Sequence, residues 1–185
     1  MHARIVIALC AGLIVAQPNL AAATTDRAVD TAASKVGFSI SHVFVERVNG
    51  TVPVASGTAS FASDSPIPAS VTVMLDATKV STGDPDQTGC IQSPDYFDVK
   101  KFPVWSFTSV KITPKGATSF SIDGTLTLHG VAQPEHFDVT IQNAGGHQVY
   151  HAVGQIDRHV FGMKGSRLDP AIGGIADITM DVVLK

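Results

Sequence analysis

The stretch Phe120-Ser121-Ile122-Asp123-Gly124-Thr125-Leu126-Thr127-Leu128-His129 alternates bulky apolar residues with small or polar ones along its whole length. Side chains of an extended chain point to opposite faces in turn. Phe120, Ile122, Leu126 and Leu128 therefore fall on one face, and Ser121, Asp123, Thr125 and Thr127 on the other. One dry face and one wet face is the pattern of an antiparallel sheet. Gly124 interrupts the dry row. A glycine inside a strong strand marks a bulge or a sharp bend, which a coiled barrel strand needs more often than a sandwich strand does.

The same alternation recurs in Val36-Gly37-Phe38-Ser39-Ile40-Ser41, in Val71-Thr72-Val73-Met74-Leu75-Asp76 (with Met74 on the outer face), in Phe137-Asp138-Val139-Thr140-Ile141-Gln142 and from Ile178 to Leu184. No sustained helical period follows the first 23 residues. Turn chemistry punctuates the chain at Asn49-Gly50, Asp64-Ser65-Pro66, Pro114-Lys115-Gly116, Ala144-Gly145-Gly146 and Gly173-Gly174. The pattern predicts an all-β fold, an extended antiparallel β-barrel of about eight strands. Only Ser81–Phe102 departs from it. There Thr88–Gln92 fits a short helix ahead of Pro94 and Pro103, and the segment reads as a loop with a helical turn over one mouth or side of the barrel.

The chain has 185 residues, 44% of them hydrophobic and 16% charged, which is globular composition for a single domain. Thirteen Lys and Arg against sixteen Asp and Glu leave no basic excess, so a nucleic-acid-binding role is excluded. Residues 1–23 read as a signal peptide. Arg4 gives a basic start, Ile5–Ala16 is an uncharged apolar run, and Ala21-Ala22-Ala23 offers an A-x-A-like cleavage site. The apolar run is too short to span a bilayer, so no transmembrane anchor is expected. Leu9 before Cys10 is not the small residue a lipoprotein signal wants. Cleavage after Ala23 leaves a domain of residues 24–185 in the periplasm with Cys90 as its one cysteine, hence no internal disulfide.

Catalytic motifs are missing: there is no G-x-S-x-G elbow, G-x-G-x-x-G, P-loop or H-E-x-x-H. Of His42, His129, His136, His147, His151 and His159, only His147 and His151 stand four apart. They lie beside a Gly-Gly turn where a helix is not expected, so no metal site is predicted. Cys90 has no basic or histidine neighbour to activate it and reads as a buried or merely exposed thiol. No catalytic residue is assigned, and the chain is not expected to be an enzyme.

The segment from Gly89 to Pro103, with Ser93-Pro94-Asp95-Tyr96-Phe97-Asp98 at its centre and Phe107-Thr108-Ser109 after it, resembles the hallmark of the YceI family. Three further stretches resemble that family in the right order: Val36–His42, Gly124–Pro134, and Ile156–Met163 with its Phe161-Gly162-Met163. The resemblance covers nearly all of the mature chain. It implies a lipocalin-like, exported barrel with a long apolar pocket for a polyisoprenoid, isoprenoid quinone or fatty-acyl-like ligand, and the possibility of a homodimer. The chain departs from the family where many members carry R-D-x-H-L. Gln87, Thr88 and Cys90 stand at the Arg, Asp and His positions, so a polar grip by that cluster is not implied here.

The alternation alone builds a filled core more readily than a cavity. Given the resemblance, the inward faces supply the candidate lining: Phe38, Ile40, Val73, Leu75, Phe97, Trp105, Phe107, Ile122, Leu126, Leu128, Phe137, Val139, Phe161, Ile178 and Met180. Asp98 and Arg158 are candidate polar contacts, although a turn or cap suits Asp98 better and an ion pair suits Arg158 better. The expected function is binding and carriage of a long-chain apolar small molecule. No cofactor is expected beyond an isoprenoid quinone or polyisoprenoid held as ligand. Two other readings stand beside it: an enzyme or redox partner acting on a bound quinone or lipid through Cys90, Asp98, Asp157 or Arg158, and a structural or stress-response barrel with a filled core.

Overall fold

A computed structural model describes residues 24–44, 46–164 and 169–185. The signal peptide assigned to residues 1–23, with Cys10, lies outside the described residues. Ten strands alternate along the chain: β1 (Thr24–Ala28), β2 (Lys35–His42), β3 (Glu46–Thr51), β4 (Val54–Ala62), β5 (Ser70–Asp76), β6 (Val104–Pro114), β7 (Ser119–Leu128), β8 (Val131–Ala144), β9 (His147–Asp157) and β10 (Ile172–Val183). One helix, α1 (Pro85–Gln92), lies between β5 and β6. All strands pair antiparallel in one sheet, ordered β1-β4-β5-β6-β7-β8-β9-β10-β2-β3. The fold is thus all-β and antiparallel with one helix, as the alternation predicts, with ten strands described where about eight are expected. Among the described residues no ladder joins the terminal strands β1 and β3. Isolated bridges instead tie Val29, after β1, to Leu184, after β10, and Thr51 of β3 to Ser81 in the segment ahead of α1.

β7 shows why the sequence folds this way. Phe120, Ile122, Leu126 and Leu128 are buried, Thr125 is exposed and Thr127 half-buried. Each buried side chain is worth about 1.5–3 kcal/mol relative to exposure. Opposite Gly124, β6 carries the bulge: Ser109 pairs with Gly124 and Lys111 with Asp123, leaving Val110 as the extra, exposed residue. Gly124 serves a second purpose, because an added Cβ would lie 2.3 Å from Phe107 Cζ and 2.6 Å from the Thr108 carbonyl oxygen. The Phe107 ring lies across the space that a side chain there would fill.

Two expected turns are not turns. Asn49-Gly50 lies inside β3, where an added Cβ on Gly50 would strike the Phe38 ring at 2.2 Å. The glycine is there for close packing, and the chain turns earlier, at Val43-Phe44. Gly173-Gly174 lies inside β10, at the irregularity between the Ile172–His42 and Ala176–Ile40 pairs. Ala144-Gly145-Gly146 does turn the chain, with both glycines at positive φ as a tight hairpin requires. Helix α1 begins three residues before the expected Thr88. The Asp84 side chain accepts a hydrogen bond from the Gln87 backbone N–H at 2.9 Å, and Pro85 fills the first helical position.

Candidate functional site: an apolar cavity inside the sheet

The inner face of the sheet encloses a cavity of about 290 Å³, so the interior is hollow rather than filled. Fourteen of the fifteen expected lining residues stand on its wall: Phe38, Ile40, Val73, Leu75, Phe97, Trp105, Phe107, Ile122, Leu126, Leu128, Phe137, Val139, Ile178 and Met180. Phe161 does not. It is fully buried in the 3-10 turn Arg158–Phe161, where it fills core and the turn carries it off the cavity wall. Asp98 is also off the wall. It sits in the left-handed region (φ 43°), its N–H donating to the Ser93 carbonyl at 2.9 Å and its own carbonyl accepting from Lys101 and Phe102. It is a turn residue in the loop after α1.

Arg158 does line the cavity. Its Nε donates to the Gly173 carbonyl at 2.8 Å, Nη1 to that of Met163 at 2.6 Å and Nη2 to that of Ile172 at 3.2 Å. A planar guanidinium can hold three carbonyls at once, so this buried cation staples the β9–β10 connection beside the cavity.

The alternating runs leave out parts of the wall. Val48 on β3 and Val54, Ala59 and Phe61 on β4 line the cavity outside those runs. So do Tyr150, Ala152 and Ile156 on β9, where Val149 and Val153 of opposite parity are apolar too. Val153 is an exposed outer-face valine, so the period-two signal is blurred there. Phe120, Val71 and Val182 share the parity of quoted runs and were legible in them. From the α1 region come Gln87, Cys90, Ile91 and Tyr96, which no strand pattern could reveal. Cys90 is a free, exposed thiol that also touches the cavity, so the wall reaches solvent beside α1. His42 and Ile172 belong both to the cavity wall and to a surface cleft with exposed Val43 and Phe44.

Aromatic rings shape the interior. Phe97 meets Trp105 edge-on at 4.6 Å and Phe38 at 5.9 Å, and Phe107 meets Phe137 at 5.5 Å. The Trp105 indole nitrogen is the one buried side-chain polar atom without a hydrogen-bond partner among the described residues. Burial pushes the Tyr150 hydroxyl above its usual value, with the Arg27 charge pulling the other way. Among the described residues no cluster of three His, Cys, Asp or Glu could hold a metal ion. Nor is any helix long and apolar enough to cross a membrane.

A family model described as a YceI-like domain matches residues 28–184. A UPF0312 protein of Vibrio vulnificus is 32% identical over 131 residues, 70% of this chain and 69% of the relative. The crystal structure of Burkholderia cenocepacia BcnA superposes with a TM-score of 0.74 at 24% identity, covering 85% of this chain and 99% of the other. A polyisoprenoid binding domain from Saccharophagus degradans superposes with a TM-score of 0.62 at 16% identity, covering 86% and 97%. A Campylobacter jejuni YceI protein gives 0.62 at 23% identity, covering 84% and 95%.

Proposed function

The chain belongs to the YceI-like family, and on that footing we propose that it binds and carries one long apolar molecule, a polyisoprenoid, isoprenoid quinone or fatty-acyl-like lipid, inside a barrel formed by its sheet. The observation that carries this reading is the hollow interior, walled almost entirely by aliphatic and aromatic side chains and reaching solvent beside α1. Each methylene moved from water into such a wall is worth about 0.8 kcal/mol before the costs of association. A dry tube therefore holds a long chain with few polar contacts. The fold of the Saccharophagus polyisoprenoid binding domain supports the same ligand class.

Carriage fits better than catalysis. Of the four groups that could have supplied chemistry, only Cys90 and Arg158 touch the cavity. Asp98 shapes a turn, and Asp157 accepts a hydrogen bond from the His159 N–H as the cap of a 3-10 turn. The deciding experiment is organic extraction of the purified protein followed by mass spectrometry. A co-purifying long-chain lipid in near-stoichiometric amount is the expected result. An extract without lipid, from protein that also takes up none when mixed with lipid, would remove this function. Incubating the complex and finding the lipid chemically unchanged separates carrier from enzyme.

The proposal includes export to the periplasm. N-terminal sequencing of protein recovered from that compartment should begin at Thr24, because the small residues Ala21–Ala23 follow the apolar run. An intact Met1 on the exported protein would contradict it. Pairing of two copies, implied by the family resemblance, is read by sedimentation of the purified protein.

A further inference from the structure

The cavity has two unlike ends, and we infer that the end under the β4–β5 hairpin is a fixed floor that measures the apolar chain of the ligand. This rests on the binding function proposed above and adds to it a residue-level basis for chain-length selection. The open end lies at α1, where exposed Cys90 and half-exposed Gln87 form part of the wall. β5 leads from the opposite end to this one, and the hairpin before β5 (residues 63–69) folds over that opposite end. Pro68 of the hairpin lines the cavity there. Phe120, at the start of β7, and Leu128, at its end, both lie on the wall. Eight residues of strand separate them, roughly 27 Å at about 3.4 Å per residue.

Three aromatic rings make the floor. Tyr150 packs against Phe61 at 6.3 Å and against Phe120 at 6.5 Å between ring centroids, and all three are buried. Their positions are fixed from behind. The Tyr150 hydroxyl lies 3.0 Å from the Pro66 carbonyl oxygen and 3.0 Å from Gln148 Oε1. Its single proton serves one of these acceptors at a time, so the ring stays tied to the hairpin or to its own strand. The hairpin is braced in turn, with Ser65 Oγ accepting from the Ile67 N–H at 3.1 Å and donating to the Ile67 carbonyl at 2.8 Å. Arg27 stacks over the Phe61 ring at 5.7 Å. A chain tip reaching this floor meets rings that cannot withdraw without breaking those contacts.

A linear chain entering at α1 therefore gains affinity with each carbon only until its tip meets Phe120 and Tyr150. Up to that length, each added methylene should strengthen binding roughly fourfold. Beyond it, added carbons stay at the mouth in contact with water and the gain stops. The length at which the series breaks is the reading of the ruler.

Trp105 is the one tryptophan of the chain and stands on the cavity wall, so its fluorescence reports occupancy directly. The probe is a homologous series of straight-chain primary alcohols, lengthened two carbons at a time and titrated into delipidated full-length mature protein. Tyr150→Ala should move the break to longer chains by at least one step of the series, and Phe120→Leu should move it the same way by less. The second variant keeps an apolar side chain in the core and guards against a Tyr150→Ala protein that does not fold. Leu126→Ala, at mid-wall, should weaken all lengths and leave the break in place. A break that stays at one length in both floor variants overturns the ruler while leaving the binding function intact. Unchanged fluorescence with every alcohol on folded wild-type protein overturns both.

Discussion

Leu126 and Thr125 are neighbours in sequence and opposites in environment. Leu126 is 6% exposed on the cavity wall, whereas Thr125 faces water. Leu126→Gln would put an amide into a wall with no partner nearby, and burying a poorly paired polar group costs about 1–3 kcal/mol in proteins. We expect that loss to appear in the affinity for a long apolar ligand. Thr125→Gln, whose amide stays hydrated, should change affinity by less than about 0.5 kcal/mol, as surface substitutions usually do. Titration of both variants, each shown folded by circular dichroism, checks the pair. Equal losses at the two positions would mean that the inner face of β7 does not meet the ligand.

At the scale of elements, α1 is the piece the sheet does not hold. None of its residues is buried, and its N-terminus depends on Asp84 accepting from the Gln87 N–H. Gln92 Nε2 donates to the Val80 carbonyl at 3.1 Å and anchors the other end. Asp84→Ala should cost about 0.5–2 kcal/mol of helix stability, the usual range for a lost N-cap. Because no residue of the helix is buried and only Ile91 packs against the core, this loss should appear as faster amide exchange in residues 88–92 with little change in global melting temperature. A fall in melting temperature as large as that of a core variant would show that α1 belongs to the cooperative unit. The strands from β2 to β10 behave differently, since they share one dry face.

For the whole molecule, the charges divide by sign of their pH effect. Asp76 is held below its ordinary value by Thr78 and then Lys79, Asp138 by Lys115, and Asp177 by Gln155 and then Arg47. Folded values below unfolded ones give stability that is present above the unfolded pKa and lost as pH falls through the folded one. Glu135 is the opposite case, raised by burial and by the nearby charge of Asp157. Its contribution is present below its ordinary value and lost as pH rises through the folded value. Melting temperature should therefore fall on acidification below about pH 4, where carboxylates titrate. Glu135→Gln should raise it near pH 7 and leave it unchanged in acid. A variant no more stable than wild type at neutral pH would show that the Glu135 charge is already solvated. The sequence by itself determined the antiparallel all-β class, the inner parity of β2, β5, β7, β8 and β10, and the helical break before Pro94, because strand alternation, turn residues and proline act locally. It could not decide whether the dry faces meet each other or a cavity, since an inward leucine reads the same in either case. Only the tertiary structure decided that the interior is hollow, that Phe161 and Asp98 lie off its wall, and that Tyr150 closes one end. Those outcomes depend on how far apart strands distant in sequence are held, by rings such as Phe38 and Phe107 lying over the glycines of neighbouring strands.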